Sequence, residues 1–264
     1  GDLLNYAASL GLSPTSIEPL GSDDDVVKLI FMNDSAYIRA NCGDFATLIM
    51  DVGEVGPKYL AGHAHADTLS YELSARGKRL IVNGGISTYE RCPQRELERS
   101  TKQHSTLTIN NQNSSEVWAA FRVGKRAHIH DLEIYRDDKR AEVRCSHDGF
   151  SRGDGLILHS RKWAFEKTTI SIRDEVLSPS KLVGHSLISR VWLHPAVKIS
   201  TIDMNSYRIT DSDGLEVSLN AKCHKSTITN GVYASGFGKL ESTSCLELEL
   251  DINNPVCEVN IYWD

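Results

Sequence analysis

The sequence lacks most of the features that assign a chain to a common functional class. No apolar run approaches the roughly 18–20 residues needed to span a bilayer, so no membrane span is predicted. Basic residues are not in excess: 29 Lys and Arg stand against 35 Asp and Glu, and the net charge of −6 disfavours nucleic acid as a partner. The six cysteines form no C-x-x-C pair and no G-x-S-x-G elbow is present, so neither a serine nor a cysteine hydrolase is supported.

What the sequence does contain is a series of short stretches in which apolar and polar residues alternate. About fifteen of them follow one another between residues 26 and 263, separated by turn signals such as Asp211–Gly214. Long helical patterns between them are missing, so the predicted fold is all-β, a large antiparallel two-sheet β-sandwich. Only Asp2–Leu10 has helical spacing, and a glycine and a proline follow it. Because the chain begins at Gly1 without a signal peptide, we interpret it as a piece of a longer protein.

The segment from Gly62 to Asp67 places two histidines and an aspartate in strict alternation with small residues. On an extended segment, His63, His65 and Asp67 would point to one face. Two imidazoles and a carboxylate suit a divalent metal or a proton-transfer site, and the alanines between them leave room for a ligand to approach. The segment is therefore predicted to be functional, with structural hydrogen bonding as the alternative.

A metal site in this segment needs further ligands from elsewhere in the chain. His104, which precedes a strand-like stretch, is the best candidate, and Asn83, at the end of another stretch, could add an oxygen. A neutral amide is a poorer zinc ligand than a carboxylate, which weakens the case for a metal. The metallo-β-lactamase signature H-x-H-x-D-H is not matched, because Thr68 stands at its last position. A second H-x-H, His128 and His130, is interpreted as the wetter face of an ordinary strand.

Residues 84–104 interrupt the strand pattern with a glycine-bearing, polar and basic stretch. A long insertion in a compact β domain is usually functional or disordered. Arg91, Arg95 and Arg99 are spaced four apart, so a helical turn here would align three guanidinium groups, which suit carboxylates or sulfates. The alternative is a solvated basic loop whose arginines pair with neighbouring glutamates.

Two blocks of the sequence resemble the heparinase II/III-like polysaccharide lyases. The first block, residues 61–89, contains H-A-H-x-D, and the second, residues 99–127, contains R-x-T-x-x-H-x-T and S-E-V-W-x-x-F-R-V. Members of that family pair an N-terminal α/α toroid with a C-terminal antiparallel β-sandwich, and the substrate cleft runs between them. The resemblance implies that residues 21–264 are the β-sandwich domain and that residues 1–20 are a helical remnant or linker from an upstream toroid.

The resemblance also implies an activity, that of a polysaccharide lyase within the full-length protein. Such an enzyme cleaves a uronate-containing acidic polysaccharide, for example a glycosaminoglycan, by β-elimination. The chemistry needs a proton acceptor and groups that neutralise the uronate carboxylate, so histidine and arginine are expected. The fragment alone is expected to be inactive, and the full-length protein to be periplasmic or secreted. The alternative is a non-catalytic carbohydrate-binding or scaffold module that kept the sandwich and lost the chemistry.

The same resemblance implies roles for individual residues. His63 matches a family histidine that assists proton abstraction or carboxylate neutralisation, and Asp67 is left in a supporting role. His65 and His104 match two metal-ligand histidines, and Asn83 falls where metal-bearing members have an aspartate. The implied cofactor is one zinc ion with a structural rather than a catalytic role. The residues implied to line the substrate cleft are Tyr89, Arg95 and Arg99.

Overall fold

A computed structural model of the protein describes residues 17–20, 26–57, 59–151, 155–177 and 184–264. Within these ranges the regular secondary structure is almost entirely strand. The first elements along the chain are β1 (Ile17–Leu20), β2 (Val27–Met32), β3 (Tyr37–Cys42), β4 (Ala46–Asp51), β5 (Tyr71–Ala75), β6 (Lys78–Val82), helix α1 (Pro93–Arg99), a 3-10 turn (Thr101–Gln103), β7 (Leu107–Ile109), β8 (Val117–Trp118) and β9 (Arg122–Val123). The remaining elements are β10 (Ile129–Arg136), β11 (Ala141–His147), β12 (Leu158–Phe165), β13 (Thr169–Leu177), β14 (Leu187–Leu193), β15 (Val197–Asp203), β16 (Ser206–Asp211), β17 (Glu216–Lys222), β18 (Lys225–Gly236), β19 (Lys239–Glu249) and β20 (Val256–Tyr262).

The strands form two large sheets and one small hairpin, all with antiparallel pairing. The ten-stranded first sheet has the order β1-β2-β3-β4-β5-β6-β14-β19-β18, and β7 also pairs with β14. The eight-stranded second sheet has the order β10-β11-β12-β13-β20-β17-β16-β15, and β8 pairs with β9. Alternation along the strands buries Leu48 and Met50 of β4 and Trp163 and Phe165 of β12 in one shared core. The predicted all-β two-sheet sandwich is therefore confirmed.

The N-terminal part of the chain is described only in part. The predicted helix Asp2–Leu10 lies outside the described residues. Ile17–Leu20, which belongs to the segment interpreted as a helical remnant or linker, is strand β1 and pairs with β2 along its whole length. The first sheet therefore begins inside that segment.

The insertion at residues 84–104 contains the one α-helix of the described ranges. Pro93 begins α1, where its fixed φ suits the first helical position and its missing N–H costs nothing. Arg95 and Arg99 lie on this helix and are buried, whereas Arg91 precedes it and is exposed. The helical turn is thus present, but the three arginines do not share a face. The solvated basic loop, the alternative reading, is wrong because two of the three guanidinium groups are buried.

A polar network interrupts the apolar core between the two sheets. Asp174 lies on the inward face of β13. Its carboxylate accepts hydrogen bonds from Arg161 Nε (2.6 Å), Arg161 Nη2 (2.8 Å), His159 Nε2 (2.8 Å) and Ser189 Oγ (2.6 Å). Burial opposes ionisation of Asp174, but the Arg161 guanidinium outweighs it and holds the pKa of the carboxyl below its usual value. Because Ser189 belongs to the first sheet and the other residues to the second, the network joins the sheets.

Arg161 also connects this network to the loops that carry the candidate site. Its Nη1 donates to the carbonyl oxygen of Leu69 (2.7 Å) and to that of Ser105 (2.8 Å). Leu69 lies two residues after Asp67, and Ser105 directly follows His104. The buried cation therefore holds two loops of the first sheet in fixed positions relative to the second sheet.

Candidate functional site

The motif segment, Gly62–Asp67, belongs to a loop between β4 and β5 rather than to a strand. Helix α1 and the turn after it hold this loop: Ala66 N donates to the Arg99 carbonyl (2.9 Å), and Thr101 Oγ1 donates to the Ala66 carbonyl (2.6 Å). A loop does not keep the two-residue period of a strand. The two histidines of the segment accordingly have different environments, one exposed and one buried.

His63 is the exposed histidine, and aromatic rings frame it. Its ring centroid lies 5.2 Å from that of Tyr89 and 5.6 Å from that of Phe121, both in edge-on geometry. The guanidinium of Arg95 lies over the same two rings, 5.1 Å from the Tyr89 centroid and 5.9 Å from the Phe121 centroid. The imidazole of His63 is thus open to a ligand from solvent, and a buried cation stands beside the rings that flank it.

His65 is the buried histidine, and it is paired with His104. Nδ1 of His104 donates to the carbonyl oxygen of Ser100 (2.7 Å), which leaves Nε2 of His104 as an acceptor facing His65 Nδ1 at 3.1 Å. Nε2 of His65 lies 3.3 Å from Arg95 Nη1, which donates to it. Burial, assisted by His104 and by the Arg95 charge, lowers the pKa of His65 to about 2. His65 is therefore a neutral imidazole at physiological pH.

His65, Asp67 and His104 form a cluster suited to a metal ion. One ligand atom from each lies within 4.8 Å of the other two. Two nitrogens bound to a tetrahedral zinc ion are about 3.3 Å apart, given Zn–N bonds of about 2.0–2.1 Å, and His65 Nδ1 and His104 Nε2 are separated by a similar 3.1 Å. The hydrogen bond from His104 to Ser100 is of the kind that orients metal-bound imidazoles. The donor set fits a divalent transition metal.

The side chain of Asn83 makes hydrogen bonds to two neighbouring segments of the chain. Its Oδ1 accepts the backbone N–H of Ser105 (2.9 Å), and its Nδ2 donates to Ser70 Oγ (3.3 Å). The amide thus connects the end of β6 to the loop that carries His104. Its role as a metal ligand stays a prediction, and the carboxylate in the cluster of His65 and His104 belongs to Asp67.

Arg95 and Arg99 are buried beneath the site rather than exposed along a cleft. Arg99 donates to the carbonyl oxygens of Ala64 (2.9 and 3.0 Å), Trp118 (3.3 Å) and Arg122 (3.2 Å), so it ties the motif segment to the β8–β9 hairpin. Burial lowers the pKa of both arginines, that of Arg99 to about 10. A guanidinium group keeps its proton at neutral pH in proteins. Their observed contacts position backbone, and their role in binding substrate stays a prediction.

The second H-x-H lies apart from these contacts. His128 Nδ1 is 3.5 Å from Glu54 Oε2, and His130 Nε2 is 3.5 Å from Asp148 Oδ2. Both histidines are exposed, as predicted, but only His130 lies on strand β10, and His128 precedes it. They form ordinary surface ion pairs when protonated.

One member of the site was not singled out from the sequence. Phe121, which flanks His63, lies in the S-E-V-W-x-x-F-R-V segment, and that segment was the available signal. Asp67 was left in a supporting role although it stands inside the H-A-H-x-D motif. The rule that alternate residues of a strand share one face placed Asp67 together with both histidines. It therefore did not show that Asp67 clusters with His65 and not with His63.

Comparison with known proteins gives the family of this chain. The family described as heparinase II/III-like, C-terminal, matches residues 26–264. Similar solved structures include the heparan sulfate lyase HepC from Pedobacter heparinus, with 14% identity and a TM-score of 0.69 over 89% of this chain and 36% of that one. A heparinase III, the BT4657 gene product, has 17% identity and a TM-score of 0.70 over 99% of this chain and 41% of that one. No curated protein matches the chain.

At these identities the structural similarity establishes the fold alone. The chain spans about two fifths of the length of the solved structures it resembles. No helix in the described ranges is both long and apolar enough to cross a membrane. Because the family match runs from residue 26 to the last residue of the sequence, the chain belongs to the heparinase II/III-like family and represents its C-terminal domain.

Proposed function

We propose that this chain forms one side of the active-site cleft of a polysaccharide lyase that acts on a uronate-containing acidic polysaccharide. The observation that carries the proposal is His63, an exposed imidazole framed by Tyr89 and Phe121 on a loop that buried side chains hold in place. The similar structures described as a heparan sulfate lyase and a heparinase III support the same chemistry. The finer assignment rests on the accessible imidazole, because histidine is the side chain that most often acts as an acid or base in catalysis.

The proposed reaction is a β-elimination. A base takes the proton from C5 of the uronate, the C5–H electron pair forms the C4–C5 double bond, and the C4–O bond breaks so that the departing O4 is protonated. His63 would accept the C5 proton or hydrogen-bond the uronate carboxylate. The remaining catalytic groups would come from an α/α toroid that precedes this chain in the full-length protein. Such a protein would meet its polymer in the periplasm or outside the cell.

The test of this proposal is an assay of the full-length protein on heparan sulfate, alginate and polygalacturonate. Each elimination creates one unsaturated uronate, so ultraviolet absorbance of the conjugated double bond is expected to rise with time on at least one polymer. Mass spectrometry of the products would confirm a new end that differs from a hydrolysed end by one water. If a folded full-length protein binds such polymers and never yields the unsaturated end, the non-catalytic binding module is the correct function.

We further propose that the cluster of His65, Asp67 and His104 holds a zinc ion. Both imidazoles are buried, and His104 already has the orienting contact to Ser100. Bound there, zinc would supply structural bracing, because a metal shared by His65 and His104 joins the motif segment to the loop after α1. His63 is not part of the cluster, so the ion and the reacting sugar would have separate ligands.

Zinc titration of the metal-free chain by calorimetry tests this proposal. The His65→Ala and His104→Ala variants are expected to lose affinity by at least about tenfold, since even outer contacts of metal sites contribute 10–100-fold. If Asp67 is the third ligand, Asp67→Asn weakens zinc binding and Asn83→Asp leaves it unchanged. If position 83 supplies the ligand, Asn83→Asp strengthens binding instead. His128→Ala is the matched control, and a wild-type affinity no higher than that of His65→Ala would refute the site.

A further inference from the structure

The burial of Arg95 and Arg99 raises the question of which exposed cations lie beside His63. A groove of about 420 Å³ runs next to this histidine, between the loop at residues 59–63 and the β8–β9 hairpin. Arg122 and Arg126 both line it, together with Phe121. Phe121 also contacts the His63 ring, so the groove is continuous with the surroundings of the exposed imidazole.

The groove has a cationic lining in a protein whose net charge is −6. Among the described residues that line it, none is an aspartate or glutamate. Arg122 is exposed, and Arg126 is half-buried with Nη1 donating to the Pro57 carbonyl (3.1 Å). Among the described residues, the other donors of the Arg126 guanidinium have no hydrogen-bond partner. Within the described ranges, neither guanidinium forms an ion pair with a carboxylate.

The backbone of Arg122 is held in place by a buried arginine, Arg99. The carbonyl oxygen of Arg122 accepts a hydrogen bond from Arg99 Nη2 (3.2 Å), and its backbone pairs with Trp118 in the β8–β9 hairpin. A buried cation therefore anchors the backbone that presents an exposed cation. The same groove offers apolar surface from Phe121 and from Tyr59, whose side chain is 89% exposed. Ligand sites commonly combine an apolar lining with a few convergent polar groups.

We propose that Arg122 and Arg126 form an anion subsite that binds a sulfate or carboxylate group on the sugar next to the one held at His63. The guanidinium fork matches two oxygens of either group, and the apolar walls accommodate the sugar ring. The inference rests on the proposed lyase function for the identity of the polymer. The cationic groove itself is a feature of the structure.

The experiment measures binding of the 264-residue chain to three probes by calorimetry: dextran sulfate, which carries sulfate alone; polygalacturonate, which carries carboxylate alone; and neutral dextran. The double variant Arg122→Gln/Arg126→Gln is expected to bind the preferred anionic polymer at least tenfold more weakly than the wild type. Arg208→Ala, an exposed arginine of β16 in the second sheet, is the matched control and is expected to bind as the wild type does. Thermal unfolding followed by circular dichroism verifies that each variant is folded.

Several outcomes separate the two proposals. Preference for dextran sulfate assigns the subsite to sulfate, and preference for polygalacturonate assigns it to carboxylate. Equal affinities of the wild type and the double variant, or an equal loss in Arg208→Ala, would overturn the subsite. If the full-length protein is a lyase and the double variant has the same KM as the wild type, the subsite is refuted and the lyase function is retained. Loss of binding in the double variant of a protein without lyase activity would support the subsite and refute the lyase function.

Discussion

Replacing Asp174 with alanine is expected to lower the free energy of unfolding by about 3–5 kcal/mol, the usual cost of removing one partner of a buried ion pair. The carboxylate accepts four hydrogen bonds, two of them from Arg161, and both residues are buried. Without Asp174, the Arg161 guanidinium would remain in the core without a counter-charge. Urea unfolding followed by circular dichroism would show the loss as a lower midpoint at an unchanged slope.

The control for this prediction is Glu216→Ala, which removes an ion pair of similar length, 2.8 Å to Arg208, from the protein surface. An exposed pair contributes about 0–1 kcal/mol, so the two substitutions should differ several-fold in effect. Asp174→Asn separates charge from volume, because the amide keeps the size of the side chain and loses the charge. Equal midpoints for Asp174→Ala and Glu216→Ala would contradict the assignment of Asp174 as a principal stabilising group.

The contribution of Asp174 to the free energy of unfolding should also decrease as the pH falls. Its pKa is held below the usual value in the folded protein, so the unfolded chain takes up the proton first as the pH falls. The stabilisation is therefore fully present above about pH 4, the ordinary range of an aspartate, and is lost progressively below it. The difference in the free energy of unfolding between the wild type and Asp174→Asn is therefore expected to become smaller as the pH falls below about 4.

Replacing His63 with alanine in the full-length protein is expected to lower kcat by about 10²–10⁴-fold, the usual contribution of a positioned acid–base group. The imidazole is exposed, and the rings of Tyr89 and Phe121 hold it at one place beside the groove. Initial rates of double-bond formation over a range of polymer concentrations measure the effect. Zinc affinity should not change, because His63 is outside the cluster of His65, Asp67 and His104.

His128→Ala is the matched control for this substitution, since it removes an exposed histidine from the other H-x-H pair. It is expected to leave kcat and KM as in the wild type. Retention of full activity in His63→Ala would remove this histidine from the mechanism. A loss of activity accompanied by a loss of zinc would instead show that the substitution acts through the metal cluster.

The sequence predicted the architecture better than it predicted the site. Alternation indicated strands such as β4 and β13 because each buries one face, and the same rule gives the two-sheet sandwich. The rule is also obeyed by Asp174, which lies on the inward face of β13 among apolar neighbours. Its partner Arg161 lies directly opposite on β12, 13 residues earlier, so the ion pair depends on the register of the β12–β13 hairpin, which alternation alone does not specify.

The site was harder to predict because it lies on loops. The spacing of His63 and His65 indicated one face, but hydrogen bonds from α1 and the following turn shape the segment and separate the two side chains. The sequence identified the arginines of the insertion as a group, but the charge of a side chain does not show whether that side chain is buried. Arg95 and Arg99 are buried because carbonyl oxygens, an imidazole and aromatic rings surround them, and these partners come from other parts of the chain.

The burial of two cations beneath the exposed imidazole has a consequence for how the site meets anions in solution. Mobile ions screen charges on a protein surface within about 8 Å at physiological ionic strength, and they screen buried charges much less. Arg95 and Arg99 are only 0% and 1% exposed, yet a guanidinium group keeps its proton at neutral pH in proteins. The positive potential that they create beside His63, which the buried carboxyl of Glu98 partly offsets, is therefore screened less by salt than that of an equivalent pair of surface arginines. It would attract the polyanion proposed as the substrate without direct contact.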